Sequence, residues 1–423
     1  MTVAPDKAAG AVVGRAEFIA LMAMLFATIA FSIDGMLPTL PDIAAELSAS
    51  NPNRAQLVVT SFVFGMGIGT LLTGPLSDTF GRRPVLLAGA GLYITGALLS
   101  MLSQSLELLL AARVIMGLGA AGPRVVAMAI IRDLFAGRDM ARIMSFVMLV
   151  FTLVPALAPL VGTGIIAISS WRGVFAGFVL FALIGATWFY LRQPETLEPD
   201  LRRPFNAGTL RRGVFEVMRH RVSALSTLTQ ATVMGLLFAA ISNVQPIFDI
   251  TYGAAGSFPY WFCLIALISG SSSLLNARIV ARLGMRTVTG RALVAQLAAS
   301  TLATVAFGSH LLPQGAEFWF FLLWMQGVFF MLGLTIGNLN ALAMEPMGHL
   351  AGLAASVVGA VSTVLAVFIA IPISLLFDGT PFWLMLGAVL CSALGRILIA
   401  LIPAEAEVRP SEPLSTAPSD LAR

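Results

Sequence analysis

Gly74-Pro75-Leu76-Ser77-Asp78-Thr79-Phe80-Gly81-Arg82-Arg83-Pro84 is a short charged segment set between two long apolar runs. Part of it returns 203 residues later, where Leu76 to Arg83 aligns with Ile279-Val280-Ala281-Arg282-Leu283-Gly284-Met285-Arg286. The same offset lays the first apolar run of the chain on the seventh. A basic loop that repeats between matching apolar runs predicts two related halves. Parallel repeats about an axis along the membrane normal are an established membrane-protein architecture. The copies are not chemically equal, because Ala281 stands where the first has Asp78.

Outward from this loop, six apolar runs precede the middle of the chain, at 17–38, 57–76, 84–101, 106–131, 143–169 and 173–191. Six follow it, at 222–249, 259–282, 287–307, 318–343, 350–377 and 382–402. Each suits a membrane-spanning helix, which needs about 20 apolar residues. The runs are continuous rather than alternating, which excludes a barrel. Of the 423 residues 58% are hydrophobic and 11% charged, against about 25% charged in soluble domains. The expected fold is an all-α membrane protein of twelve transmembrane helices in two six-helix bundles, 17–191 and 222–402. A basic cytoplasmic linker, 192–221, joins them. An N-terminal cytoplasmic segment, 1–16, and a disordered tail, 403–423, flank them.

The formal charge of +4 does not point to nucleic acid, because the arginines sit in alternate loops. Arg82, Arg83, Arg132, Arg138, Arg142, the linker arginines, Arg282, Arg286 and Arg291 fall on one side. The other side holds Arg54 and Arg172. By the positive-inside rule both termini are expected in the cytoplasm. Cys263 and Cys391 are far apart inside apolar runs, and the three histidines lack ligand spacing, so neither a disulfide framework nor a metal site is expected.

Ionisable residues inside spans are costly and are functional candidates. Asp34 lies in the first run, and Arg113 and Arg124 in the fourth. Eleven residues separate the two arginines, which puts them within about 20° on one helix face at 3.6 residues per turn. The first helix runs outward and the fourth inward, so Asp34 and Arg113 both lie about six residues to the outer side of mid-span. An approach of Asp34 to Arg113, direct or through water, is expected. The second half offers polar groups without charge at depth: Asn243, Gln245, Trp324, Gln326 and Asn338.

The opening loop resembles the signature loop between the second and third helices of the major facilitator superfamily, at its Gly, Leu, acid, Gly and basic positions. Arg113 to Arg124 resembles that family's fourth-helix motif, with Met116 where a glutamine is frequent. Pro155-Ala156-Leu157-Ala158-Pro159-Leu160-Val161-Gly162-Thr163-Gly164 resembles its antiporter motif. Asp34-Gly35-Met36-Leu37-Pro38-Thr39-Leu40-Pro41, with Arg132-Asp133-Leu134, Trp171-Arg172 and Ala343-Met344-Glu345-Pro346, is similar to the drug:proton antiporters of the bicyclomycin and chloramphenicol-resistance branch.

The resemblance implies a conformational latch at Gly74, Asp78, Gly81, Arg82, Arg83 and Asp133. It implies proton coupling at Asp34 and Arg113, an antiporter motif at Pro155, Pro159 and Gly162, and a substrate cavity. The cavity residues are Phe31, Asp34, Met116, Arg124, Asn243, Gln245, Trp324, Gln326 and Asn338. The implied function is export of small lipophilic drugs or toxic metabolites in exchange for protons by alternating access. The chain would act without cofactor, as a monomer in the bacterial inner membrane. Its partners would be a small-molecule substrate and the lipid bilayer. Import or facilitated passage of an organic acid, sugar or nucleoside is the alternative. A membrane-embedded enzyme is disfavoured by the scarcity of His and Cys.

Overall fold

The structure is a computed structural model that describes residues 14–403 except Gln314. The N-terminal segment and the tail therefore lie almost wholly outside the described residues. Fourteen α-helices follow in order: α1 Arg15–Asp34, α2 Leu40–Leu47, α3 Leu57–Phe80, α4 Arg82–Leu102, α5 Leu106–Leu134, α6 Gly137–Ile168 and α7 Trp171–Arg192. Then come α8 Ala207–Arg219, α9 Arg221–Pro246, α10 Phe258–Leu283, α11 Met285–Gly308, α12 Ala316–Met344, α13 Ala351–Leu375 and α14 Phe382–Ala400. Among the described residues, 12 helical segments are long and apolar enough to cross a membrane, the first being Arg15–Leu47. They form two six-helix bundles.

Lipid tails are as apolar as side chains, so helices in a bilayer associate through close packing rather than through escape from water. Glycine makes that contact possible between α3 and α5. A Cβ on Gly117 would lie 2.0 Å from the Phe62 carbonyl oxygen, and one on Gly65 would lie 2.1 Å from that of Val114. Between the halves α3 lies along α13 and α6 along α10.

The hydrophobic core differs at the two ends of the molecule. At the end away from the arginine-rich loops one continuous cluster joins the halves, with Ile33, Leu37, Leu40 and Ile43 in the same core as Val244 and Ile247. At the arginine-rich end the core is divided. Phe18, Leu21, Val126, Ile130 and Ile143 form one cluster within the first half. Ala343, Met347, Ala354 and Val357 belong to another, on the second. Along α6 between Gly137 and Val150 only Ile143 and Val147 are buried, and along α10 between Ser271 and Leu283 only Ser272 is. The halves share one core at one end and have separate cores at the other.

Between α7 and α9 the chain is more structured than a polar linker. Asn206 accepts a hydrogen bond from the Thr209 amide, 3.1 Å, and so caps α8. Leu210, Gly213, Val214 and Val217 recur at helical spacing, and Gly213 and Val217 are buried under α13.

Candidate functional site

Asp34 is the last residue of α1. The Gly35 amide closes the helix on the Phe31 carbonyl, 3.0 Å. Pro38 then lies within a 3-10 turn, Leu37–Thr39, and Pro41 in the first turn of α2. Proline lacks an amide donor, so one regular helix cannot run through this segment. The break sets the carboxyl at the end of a helix and inside the protein, with only 4% of the residue exposed. Among the described residues no side chain pairs with or hydrogen-bonds to it.

Arg113, fully buried, comes to the same turn of α1 but does not take the expected partner. Its Nη2 donates to the Ser32 carbonyl, 3.1 Å, and its Nε to the Val58 carbonyl, 3.0 Å. Its Nη1 lies 3.4 Å from the Met116 sulfur, and the guanidinium stacks 4.4 Å from the Phe62 ring centroid. The reason is local. A helix that stops at Asp34 leaves the carbonyls of its last turn without intrahelical donors, and Arg113 supplies one. Ser32 is fixed from a second side by a 2.6 Å hydrogen bond between its hydroxyl and that of Tyr93.

The proline-rich helix reaches the same place. A Cβ on Gly162 would sit 2.3 Å from the Gly35 carbonyl oxygen, so α6 touches the backbone next to Asp34. Pro159 and Pro155 lie about one and two turns before Gly162 within α6. Asp34, Arg113 and the 155–164 segment thus converge on one helix break. Phe31 belongs to the wall of this half, edge-on to Phe178 at 5.0 Å.

The polar residues of the second half are drawn mostly into helix packing. Asn243 donates to the Ser374 hydroxyl, 3.1 Å, tying α9 to α13. Trp324 donates to Ser300 on α11, 3.1 Å, and Gln326 to Ser269 on α10, 2.7 Å. Asn338 exchanges amide hydrogen bonds with Asn276, 2.9 and 3.2 Å. Gln245 differs, because its buried Oε1 has no hydrogen-bond partner among the described residues.

The opening loop closes on itself. Arg82, buried, bonds Asp78, the Ser77 hydroxyl at 2.9 Å and Asp133 at 2.9 Å. Arg83 stacks on Tyr190, 4.5 Å to the ring centroid. Gly81 has φ 101°, a backbone region that favours glycine. Gly74 lets α3 approach Ser356 of α13, 3.0 Å from the position of a Cβ. A further carboxylate completes the cluster: Glu195 accepts from the Arg82 and Arg83 amides, 2.8 and 3.0 Å. It thereby satisfies two orphan donors at the start of α4.

Arg124 is exposed, although it lies deep in α5 and on the face of buried Arg113. Met128 and Arg132 continue its stripe toward the arginine-rich end and are also exposed. Arg132 Nη1 lies 3.5 Å from where a Cβ of Gly352 on α13 would stand. The stripe therefore looks across at the opposite half, into the space where the cores part.

This architecture has a match among known families. The model described as Major Facilitator Superfamily matches residues 20–371. The chain belongs to the Major Facilitator Superfamily. A bicyclomycin resistance protein homolog of Haemophilus influenzae is 30% identical over 351 residues, 81% of this chain and 85% of that one. A chloramphenicol resistance protein of Pseudomonas aeruginosa is 26% identical over 375 residues, covering 88% and 81%. These relatives place the chain in the bicyclomycin and chloramphenicol-resistance branch of the superfamily. The crystal structure of a D-xylose-proton symporter superposes with a TM-score of 0.71 at 14% identity, over 90% of this chain and 96% of that one. At that identity it shows the shared superfamily fold.

Three residues of this superfamily member carry weight that the sequence did not signal. Glu195 sits in a polar stretch with no periodicity. Tyr93 is the single aromatic of α4, in an apolar run that gives no sign of its hydroxyl's partner. Asn53 lies in a short 3-10 turn, Pro52–Gln56, yet its Nδ2 donates to the Leu375 and Phe377 carbonyls at the end of α13, 3.1 and 2.6 Å.

Proposed function

We propose that this transporter exports small lipophilic compounds, drugs or toxic metabolites, in exchange for protons, as a monomer in the bacterial cytoplasmic membrane. The observation that carries the reading is Asp34, a buried carboxyl held at a helix break with no ionic or hydrogen-bonding partner among the described residues. A carboxyl whose neighbour's charge is directed to carbonyls is free to take and release a proton. The names of the relatives, resistance proteins for bicyclomycin and chloramphenicol, support a drug as cargo.

The halves 17–191 and 222–402 would rock about the central site, and the break beside Gly162 would transmit the motion to Asp34. With the arginine-rich end in the cytoplasm, the parted core corresponds to the inward-open state. In that state Asp34 releases its proton as substrate enters. In the outward-open state it takes one up as substrate leaves.

Proteoliposomes loaded with a pH-sensitive dye test this. Addition of chloramphenicol to the wild-type protein drives proton movement, and the Asp34→Asn variant moves chloramphenicol down its gradient with no proton flux. Full substrate-driven proton exchange in Asp34→Asn would overturn the proposal.

A further inference from the structure

Arg124 is an exposed cation inside a membrane bundle, and neither the Asp34 site nor the Arg82 cluster uses it. Among the described residues it has no ion pair and no hydrogen-bonded partner, and the same holds for Arg132. The acid next to Arg132 in sequence, Asp133, is already engaged by Arg82. At 1.5 Å per residue the two arginines stand about 12 Å apart along one stripe of α5.

That stripe faces the other half, as the approach of Arg132 to Gly352 shows. On α12, in the second half, the part near the arginine-rich end carries Asn338 and Asn340 and no acid before Glu345 at its close. The space between the halves therefore holds positive charge without a fixed counter-charge at the depth of Arg124. An arginine kept at such depth without a carboxylate is costly, and a ligand that brings the counter-charge recovers that cost. Arginine is also suited to the task, since its planar fork meets a carboxylate through two parallel hydrogen bonds.

We infer that Arg124 is a substrate-binding residue that selects lipophilic acids, carried as anions, over lipophilic cations, with Arg132 drawing them in from the arginine-rich end. The inference deepens the export reading by naming a substrate class, and it rests on that reading for direction only. Binding at Arg124 is independent of proton coupling at Asp34. The apolar part of the ligand would lie along Met128, and the polar surface across the gap would accept its neutral groups.

Equilibrium binding to purified protein decides the matter, since it needs neither a gradient nor turnover. The probes are nalidixic acid, anionic at neutral pH, and ethidium, a lipophilic cation. Wild type binds the acid at least about tenfold more tightly than ethidium, as a charge-assisted hydrogen bond supplies. Arg124→Gln removes the preference, and Arg124→Lys, which keeps the charge, retains most of it. Melting temperatures confirm that each variant is folded, and the wild-type ratio stands even where a variant is not.

Equal binding of the two probes by wild type overturns the inference, as does an unchanged ratio in a folded Arg124→Gln. Loss of proton exchange in vesicles with the ratio intact counts instead against the Asp34 reading.

Discussion

Arg113 is the side chain on which the helix break depends, because two of its hydrogen bonds end on carbonyls of different helices. A lysine keeps the positive charge but has no planar fork. It can serve Ser32 or Val58, not both, and a buried carbonyl left unpaired costs about 1–3 kcal/mol. Arg113→Lys is expected to lower stability by about 2 kcal/mol, read as an earlier thermal transition in detergent. An unchanged transition would mean that these hydrogen bonds contribute nothing net. In the sequence, Asp34, a carboxylate two residues from the true acceptor, looked like the natural partner of Arg113. A helix end exposes acceptors of its own, and they are invisible until the stopping point of the helix is known.

At the scale of elements, the close contact between α6 and the end of α1 supplies a sharp test. A methyl on Gly162 would meet the Gly35 carbonyl at 2.3 Å, whereas one on Gly164 would meet nothing within 4 Å. Overpacking of this kind costs about 1–3 kcal/mol, and about 1.4 kcal/mol is tenfold in a rate. Gly162→Ala is therefore expected to slow the proposed proton-driven export about tenfold or more, and Gly164→Ala to change it less than about twofold. Equal effects of the two would remove the contact from the coupling path.

The helices themselves were legible in the sequence, because each is a long apolar run bounded by Arg, Pro or Gly. The reading of 84–101 meets α4 at Arg82–Leu102, and that of 382–402 meets α14 at Phe382–Ala400. Of the candidate site, the acid, the arginines and the proline-rich segment stand out in the sequence as ionisable or helix-bending residues inside apolar runs. The roles of Trp324 and Gln326 are not carried by the sequence. Hydropathy sets depth but not rotation, and rotation turns Trp324 to Ser300 and Gln326 to Ser269. Glu195 and α8 escaped because a polar connection carries no long apolar signal, though Asn206 and the spacing from Leu210 to Val217 are a helix start and face that short-range rules can find.

At the scale of the whole molecule, the proposed export requires the two ends of the bundle to alternate, and the energy that holds one of them shut is open to measurement. At the closed end Asn53 of the first half caps the last carbonyls of α13 in the second. Those acceptors are orphans of a helix end, so the cap is made when the end is shut and lost when the halves separate there. Each such hydrogen bond contributes about 0.5–1.5 kcal/mol net, and two of them bias the equilibrium by about tenfold. Asn53→Ala is expected to shift the population by that factor toward opening at this end. Spin labels at exposed Asn51 and Ala255, one on each half at the closed end, report the change by electron–electron distance measurement. The Asn53→Ala protein shows a longer component that the parent lacks, and labels at exposed Arg138 and Arg282 at the other end draw together. Unchanged distributions at both pairs would show that the apolar core around Leu37 and Val244 holds the end closed without help from Asn53.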